Sequence, residues 1–413
     1  MTKTVQLLEM RLHAVSIALA LAIVLVPAVV GTSAQAQTFT VLYSFTGGTD
    51  GGYPMAGLIR DTQGNLYGTT ESAGDLSCGN NAGCGVVFEV DTTGKETVLH
   101  SFAGEPDGAV PVAGLLLDAK GNLYGTTFDG GTGGCSHAFY VPGCGTVFKV
   151  DKAGKETVLF RFKGKDGAHP AGVLVGDAAG NLYGTTTNGG GAGLGTVFKL
   201  DKSDKETVLH RFESKQQQEG LHPYAGLVRA STGNLYGTTV KGGPDNCYPN
   251  KWCGVVFMLD PTGKETLLYS FSDTDGETPW AGLVRDAKGN LYGTTSYAGP
   301  YNEGTVFKLD KQGNLTILHS FKENPDGALP LAGLILDANG NLYGTTYYGG
   351  THDSGTVFKI DSAGNETVLY SFTGGNDGGS PLADLLLDTE GNLYGTTWVG
   401  GAYGAGVVFK LTP

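Results

Sequence analysis

Short apolar runs and short polar turns alternate along almost the whole chain, and residues 332–372 show the pattern in full. Residues 333–336 (Gly-Leu-Ile-Leu) are a continuous apolar run, as expected of a strand buried on both faces. Residues 337–340 (Asp-Ala-Asn-Gly) form a turn in which Asp can bond its own backbone and Gly supplies positive φ. Residues 341–347 read as a second strand with Leu342 and Tyr343 on opposite faces. After a loop over 348–354 come a third strand over 355–360, a second tight turn over 361–364 and a fourth strand over 366–372. A link over 373–381 leads to the next unit. The pattern predicts four antiparallel strands joined by hairpins.

The unit recurs. Gly-Asn-Leu-Tyr-Gly-Thr-Thr occurs seven times, with its Asn at Asn65, Asn122, Asn181, Asn234, Asn290, Asn341 and Asn392, at spacings of 57, 59, 53, 56, 51 and 51 residues. Repeats of about this length with four strands each mark propeller blades. The predicted fold is therefore all-β, a seven-bladed β-propeller of four-stranded antiparallel blades occupying residues 37–413. Residues 38–45 are a lone fourth strand, and 407–411 are a third strand with no fourth. The N-terminal strand is expected to complete the last blade, whereas a linear solenoid would need capping units.

Connections then fall on two faces. The first–second and third–fourth turns (61–64, 91–94, 286–289 and their copies) are short and uniform. Turn chemistry accounts for their Asp and Gly, and four residues offer few oxygens for calcium. The second–third loops and the links gather on the opposite face and vary, which is where a rigid scaffold carries binding sites. Every link holds an acid followed by Gly and then Pro: Asp50, Asp107, Asp166, Glu219, Asp275, Asp326 and Asp377. These acids read as turn caps, with a cation-binding ring of carboxylates as the sharper alternative. Aromatic residues crowd the same face: Phe128, Tyr140, Tyr248, Trp252, Trp280, Tyr297, Tyr301, Tyr347, Tyr348, Trp398 and Tyr403. Rings with a polar edge suit partly wet recognition surfaces, or they shield the blade tops. Loop histidines His137, His169, His222 and His352 could act as bases or ligands, but His169 and His222 occupy matching places before a link Pro, which favours a structural role. His100, His210 and His319 replace Tyr or Phe in the fourth strand and read as packing residues. Arg60, Arg229 and Arg285 share the end of the first strand; they either line the channel or pair with an acid, and Arg60 and Arg285 have the turn Asp beside them.

Composition narrows the class. The 69 glycines come with ordinary Pro usage and 40% apolar residues, the make-up of a turn-rich β protein with ample core material rather than a disordered one. The formal charge of -13, with no basic run, argues against nucleic-acid binding. Lys3 and Arg11, an apolar run over 14–30 and Ala34-Gln-Ala36 have the order of a signal peptide, predicting cleavage after Ala36; a retained membrane anchor is the alternative. No second apolar span follows, so the mature protein is expected to be secreted or periplasmic, off the membrane. Six cysteines form three local pairs, Cys78/Cys84, Cys135/Cys144 and Cys247/Cys253, each in the second–third loop. In an exported protein they read as disulfides; zinc is the rival, disfavoured by the spacing.

The chain carries no H-E-x-x-H, P-loop or G-x-S-x-G motif, and its recognisable acids recur from repeat to repeat. The repeated G-N-L-Y-G-T-T, followed by G-T-V-F-K-[LI]-D and E-T-V-L-[YH]-S-F, resembles the GloVer tandem-repeat proteins across the whole mature chain. That resemblance implies an exported bacterial protein of the choice-of-anchor kind, although no C-terminal anchor is visible here; it implies no particular reaction or ligand. The D-x-x-G-N-L turn is also similar to that of two-component sensor propellers. The resulting expectation is an exported, monomeric, non-catalytic binding module without cofactor or metal. Its ligand would be carbohydrate or another envelope component, met by Trp252, Trp280, Tyr297, Tyr301, Tyr347, Tyr348, Trp398 and Tyr403. An exported polysaccharide lyase or hydrolase and a protein–protein scaffold are the alternatives.

Overall fold

A computed structural model describes residues 37–135, 141–213, 219–243 and 253–413. Residues 1–36, where the signal peptide is expected, and His137, Tyr140, Cys247, Tyr248 and Trp252 lie outside them. Seven four-stranded antiparallel sheets follow one another in chain order. Blade one pairs Ile59–Arg60, Leu66–Thr70, Val86–Val90 and Glu96–Ser101 in that order, and blades two to six repeat it. Blade seven is closed by the N-terminal strand: Thr38–Ser44 pairs with Val407–Thr412, beside Leu393–Thr397 and Leu386–Leu387. A small ribbon, Gly220–Leu221 with Lys241–Gly242, is added on blade four.

The repeated motif is a set of fixed contacts. In blade one the turn Asp61 accepts the Asn65 backbone N–H at 2.9 Å, the Asn65 side-chain amide at 3.1 Å and the Tyr67 hydroxyl at 3.1 Å. Asn and Tyr are therefore present to hold a turn carboxylate. Gly68 lies under the ring of Phe88, which leaves no room for a Cβ. The two threonines have different tasks. The first crosses to the next blade: Thr69 donates to the Ala113 carbonyl at 3.1 Å, Thr185 to Ala225 at 2.8 Å, and Thr396 closes the ring onto Ala56 at 3.3 Å. The second ties its own hairpin, as Thr346 donates to the Tyr348 carbonyl and accepts the Thr356 N–H at 3.1 Å.

The core is a ring of seven blade interfaces. At each, a phenylalanine just past a fourth strand meets the third-strand phenylalanine of the next blade edge to face. The pairs are Phe45–Phe88, Phe102–Phe148, Phe162–Phe198, Phe212–Phe257, Phe271–Phe307, Phe321–Phe358 and Phe372–Phe409, with centroids 5.0 to 5.3 Å apart. Such pairs add about 0.5–1.5 kcal/mol each beyond area burial. Leu342 and Tyr343 do alternate, yet both are buried, because neighbouring blades cover both faces.

The sequence pattern overstates the first strand. Only Ile335–Leu336 of the apolar run 333–336 is paired, because the preceding residues turn into the channel wall. The link acids cap turns. Asp50 accepts the Thr46 N–H at 2.8 Å and the Tyr43 hydroxyl at 2.9 Å. His100 and His319 donate in the place of that tyrosine, to Asp107 at 3.1 Å and Asp326 at 3.0 Å, so the fourth-strand histidines pair as well as pack. The arginines do not line the channel. They lie over second-strand tyrosines of the preceding blade: Arg60 on Tyr394, Arg229 on Tyr183, Arg285 on Tyr236. Arg60 pairs with Asp388 of that blade at 3.7 Å rather than with adjacent Asp61, whose carboxylate is committed to its own turn.

Candidate functional site

The links shape the site through one unusual backbone position. The residue before each link Pro (Tyr53, Val110, His169, His222, Thr278, Leu329 and Ser380) has φ between 52° and 60°. A left-handed conformation costs a non-glycine residue roughly 1 kcal/mol or more. Two backbone bonds hold it. The Ser380 N–H donates to the Ser354 carbonyl of the preceding blade at 2.8 Å, and its own carbonyl accepts from Trp398 at 3.2 Å. The bend swings the residue after Pro into a collar around the central channel: Met55, Val112, Ala171, Tyr224, Trp280, Leu331 and Leu382.

Below the collar the wall is built of small residues, and the channel encloses about 280 Å³. Three residues after each Pro the blades present Gly57, Gly114, Val173, Gly226, Gly282, Gly333 and Asp384. Adjacent backbones approach closely here: a Cβ on Gly57 would lie 3.1 Å from the Asp384 carbonyl. Asp384 is the one charged residue of the lining. Its Oδ1 accepts the Gly333 N–H at 2.5 Å. Asp384 is exposed to the channel, and the neighbouring wall pushes its pKa up against the lowering effect of the Gly333 N–H. Sequence reading passed over Asp384. The signal was present, since five other links read Pro-x-Ala-Gly where this one reads Pro381-Leu-Ala-Asp384.

Aromatic residues form two groups on the loop face, one of them in the channel lining. Trp280 packs on Tyr224 with centroids 4.4 Å apart. Trp398 sits between Tyr53 at 6.0 Å and Tyr347 at 6.4 Å, and Tyr347 meets Tyr348 edge to face at 4.3 Å. Glu71 belongs to the second group. It accepts the Trp398 indole N–H at 3.2 Å, and burial raises its pKa. Burial and the Glu71 charge together push the Tyr224 hydroxyl above the usual phenol range. On the same face Phe128 stacks on His169, whose Nε2 lies 3.7 Å from Asp129, a wholly buried carboxyl pushed up to about 7. His169 is itself buried, which fits its structural reading.

Of the sequence-predicted aromatics, Trp280, Tyr347, Tyr348 and Trp398 thus fall into two groups, Trp280 with Tyr224 and the other three with Tyr53 and Glu71. Tyr297, Tyr301 and Tyr403 stand apart, about half exposed or more, with Lys322 over the Tyr301 ring. Tyr53, Tyr224 and Glu71 were not singled out in advance. The cysteines are committed: Cys78 bonds Cys84, Cys135 bonds Cys144, and Cys253 is disulfide-bonded. Such bonds belong to an oxidising compartment. No helix among the described residues is long and apolar enough to cross a membrane.

A family profile described as the Gloeobacter/Verrucomicrobia repeat matches residues 28–141, 76–284 and 248–413. No curated protein matches the sequence. Among solved structures the chain is similar to virginiamycin B lyase from Staphylococcus aureus, with TM-score 0.57 and 13% identity over 91% of this chain and 99% of that one. It is also similar to the extracellular domain of a hybrid two-component system from B. thetaiotaomicron, with TM-score 0.58 and 12% identity over 90% of this chain and 39% of that one. At such identities the likeness is one of fold.

Proposed function

The chain belongs to the Gloeobacter/Verrucomicrobia repeat family, and we propose that it is an exported binding module holding carbohydrate or cell-envelope material at the channel mouth. One observation carries this reading: rings from blades far apart in sequence share one face, with a carboxyl on their rim and another in the channel below. Sugar rings present C–H faces that stack on aromatic side chains and hydroxyls that need acceptors. Tyr224, Trp280 and Trp398 offer the first, and Glu71 and Asp384 the second. The disulfides support an extracytoplasmic place of action.

The test is retention of the purified protein on insoluble polysaccharides and cell envelopes, with the supernatant assayed for released sugar. Truncating a stacking ring costs about 1–2 kcal/mol, roughly tenfold in affinity. Trp398→Ala and Trp280→Ala should each weaken retention by about that factor, while Tyr403→Ala, on a peripheral loop, leaves it unchanged. Absence of retention on every matrix refutes the reading. Release of sugar would replace it with an enzymatic one.

A further inference from the structure

The channel floor narrows the ligand class further, on the premise that the mouth binds glycan. We infer that the site takes a terminal sugar residue bearing a free ammonium group, a 2-amino sugar without its acetyl, with the Asp384 carboxylate as counter-ion. Three observations converge. First, Asp384 departs from the repeat at a position where five blades have Gly and one has Val173, and turn chemistry gives no reason for it. Second, its structural satisfaction is incomplete. Gly333 N–H is its one hydrogen-bond donor among the described residues, no cationic side chain of those residues stands in the lining, and the carboxyl is open to the channel with nothing of opposite charge beside it. Third, the approach is electron-rich: Tyr224 and Trp280 line the same channel as Asp384 and bring their π systems to it.

Size bears on the form of the ligand. The channel volume of about 280 Å³ admits a sugar ring. Asp384 follows Leu382 of the collar by two residues and lies in the same channel lining. A sugar ring standing in the mouth presents its substituents to that lining. An ammonium donor to a carboxylate outweighs a neutral hydroxyl donor by about tenfold or more, and an anionic sugar meets the like charge of Asp384.

Titration calorimetry with glucosamine trimer, N-acetylglucosamine trimer and glucose trimer tests this. The wild-type protein should bind glucosamine trimer at least tenfold more tightly than either neutral trimer. Asp384→Gly restores the residue of five other blades, so folding is preserved, and it should abolish most of that preference while changing neutral-trimer affinity less than threefold. Asp384→Asn should do the same. Because an acidic protein attracts any cation, Glu390→Gln, on an exposed turn, serves as the charge control and should leave the preference in place. Equal binding of the charged and neutral trimers, or a preference that survives Asp384→Gly, overturns the inference while leaving glycan binding intact. Failure of every trimer, together with loss of polysaccharide retention, sinks both readings.

Discussion

Substituting alanine for Gly344 asks whether the repeat glycine is steric in origin. A Cβ there would lie 2.6 Å from Phe358 Cζ, 2.9 Å from Leu334 Cδ2 and 3.1 Å from Phe358 Cε1. Carbon contacts are optimal at about 3.5–4.0 Å, so the ring must retreat by about 1 Å. It has nowhere to go: Phe358 is fully buried and meets Phe321 of the preceding blade at 5.1 Å. Overpacking of this kind costs about 1–3 kcal/mol, against which the stiffer unfolded chain returns about 0.4–1 kcal/mol. The expected net loss is about 1–2 kcal/mol, read as a lower denaturant midpoint at unchanged slope. Phe358→Leu alone should also destabilise, because it hollows the interface. Combined with Gly344→Ala it should destabilise by clearly less than the sum, since the new methyl fills the vacated space. A double-mutant cycle additive to within about 0.5 kcal/mol would refute the steric account. So would a neutral Gly344→Ala.

Three further outcomes are expected. Blade four lacks the turn carboxylate: Ala230 takes its place and the Asn234 amide turns to Met258 Sδ at 3.3 Å; Ala230→Asp should therefore stabilise by about 1 kcal/mol, measured by denaturant midpoint. Thr294→Val keeps the side-chain shape but removes the 3.1 Å bond to the Ala332 carbonyl of the next blade, and should lower stability by about 1–2 kcal/mol in the same assay. Glu96, Glu156, Glu206, Glu265 and Glu366 are each pushed up to about 7, first by burial and then chiefly by a link acid across the blade boundary. Their folded values exceed the unfolded one, so the stability they allow is present below about pH 4.3 and is lost as pH rises through 7. Thermal midpoints should fall between pH 5 and 8. Because these groups are partly solvated, the effect per group is below the roughly 4 kcal/mol ceiling set by the shift. Glu265→Gln should flatten the profile, and a midpoint that rises over that range would contradict the assignment.

The fold was legible because each of its causes is local. A turn needs Asp and Gly within four residues, a hairpin needs two apolar runs, and blade closure shows as an unmatched strand at each end. The seven Phe pairs and the Thr-to-Ala bonds were hidden, since each joins residues of adjacent repeats and identical repeats do not reveal which face meets which. Arg60 illustrates the difficulty. Its sequence neighbour Asp61 invites pairing, but that carboxylate is occupied by Asn65 and Tyr67, so the guanidinium reaches Asp388 instead. The site was half legible. Loop aromatics announce themselves, yet only ring closure separates Trp280 and Trp398 from peripheral Tyr301 and Tyr403. Asp384 required aligning the links after Pro and asking which one differs.

The closing seam also determines how the molecule answers a mechanical load. Thr38 is opposite Thr412 and Ser44 is opposite Val407. The outer ends of the two strands, Thr38 and Thr412, therefore lie side by side, and tension between them pulls the outermost rung first. Such an arrangement unzips one rung at a time at low force, whereas strands loaded in shear resist with all their bonds together. Held by a single end and tugged through whatever occupies the channel mouth, the ring carries the load across its blade interfaces and the seam stays unstressed. Held by both ends, it would open at blade seven long before any other interface gave way.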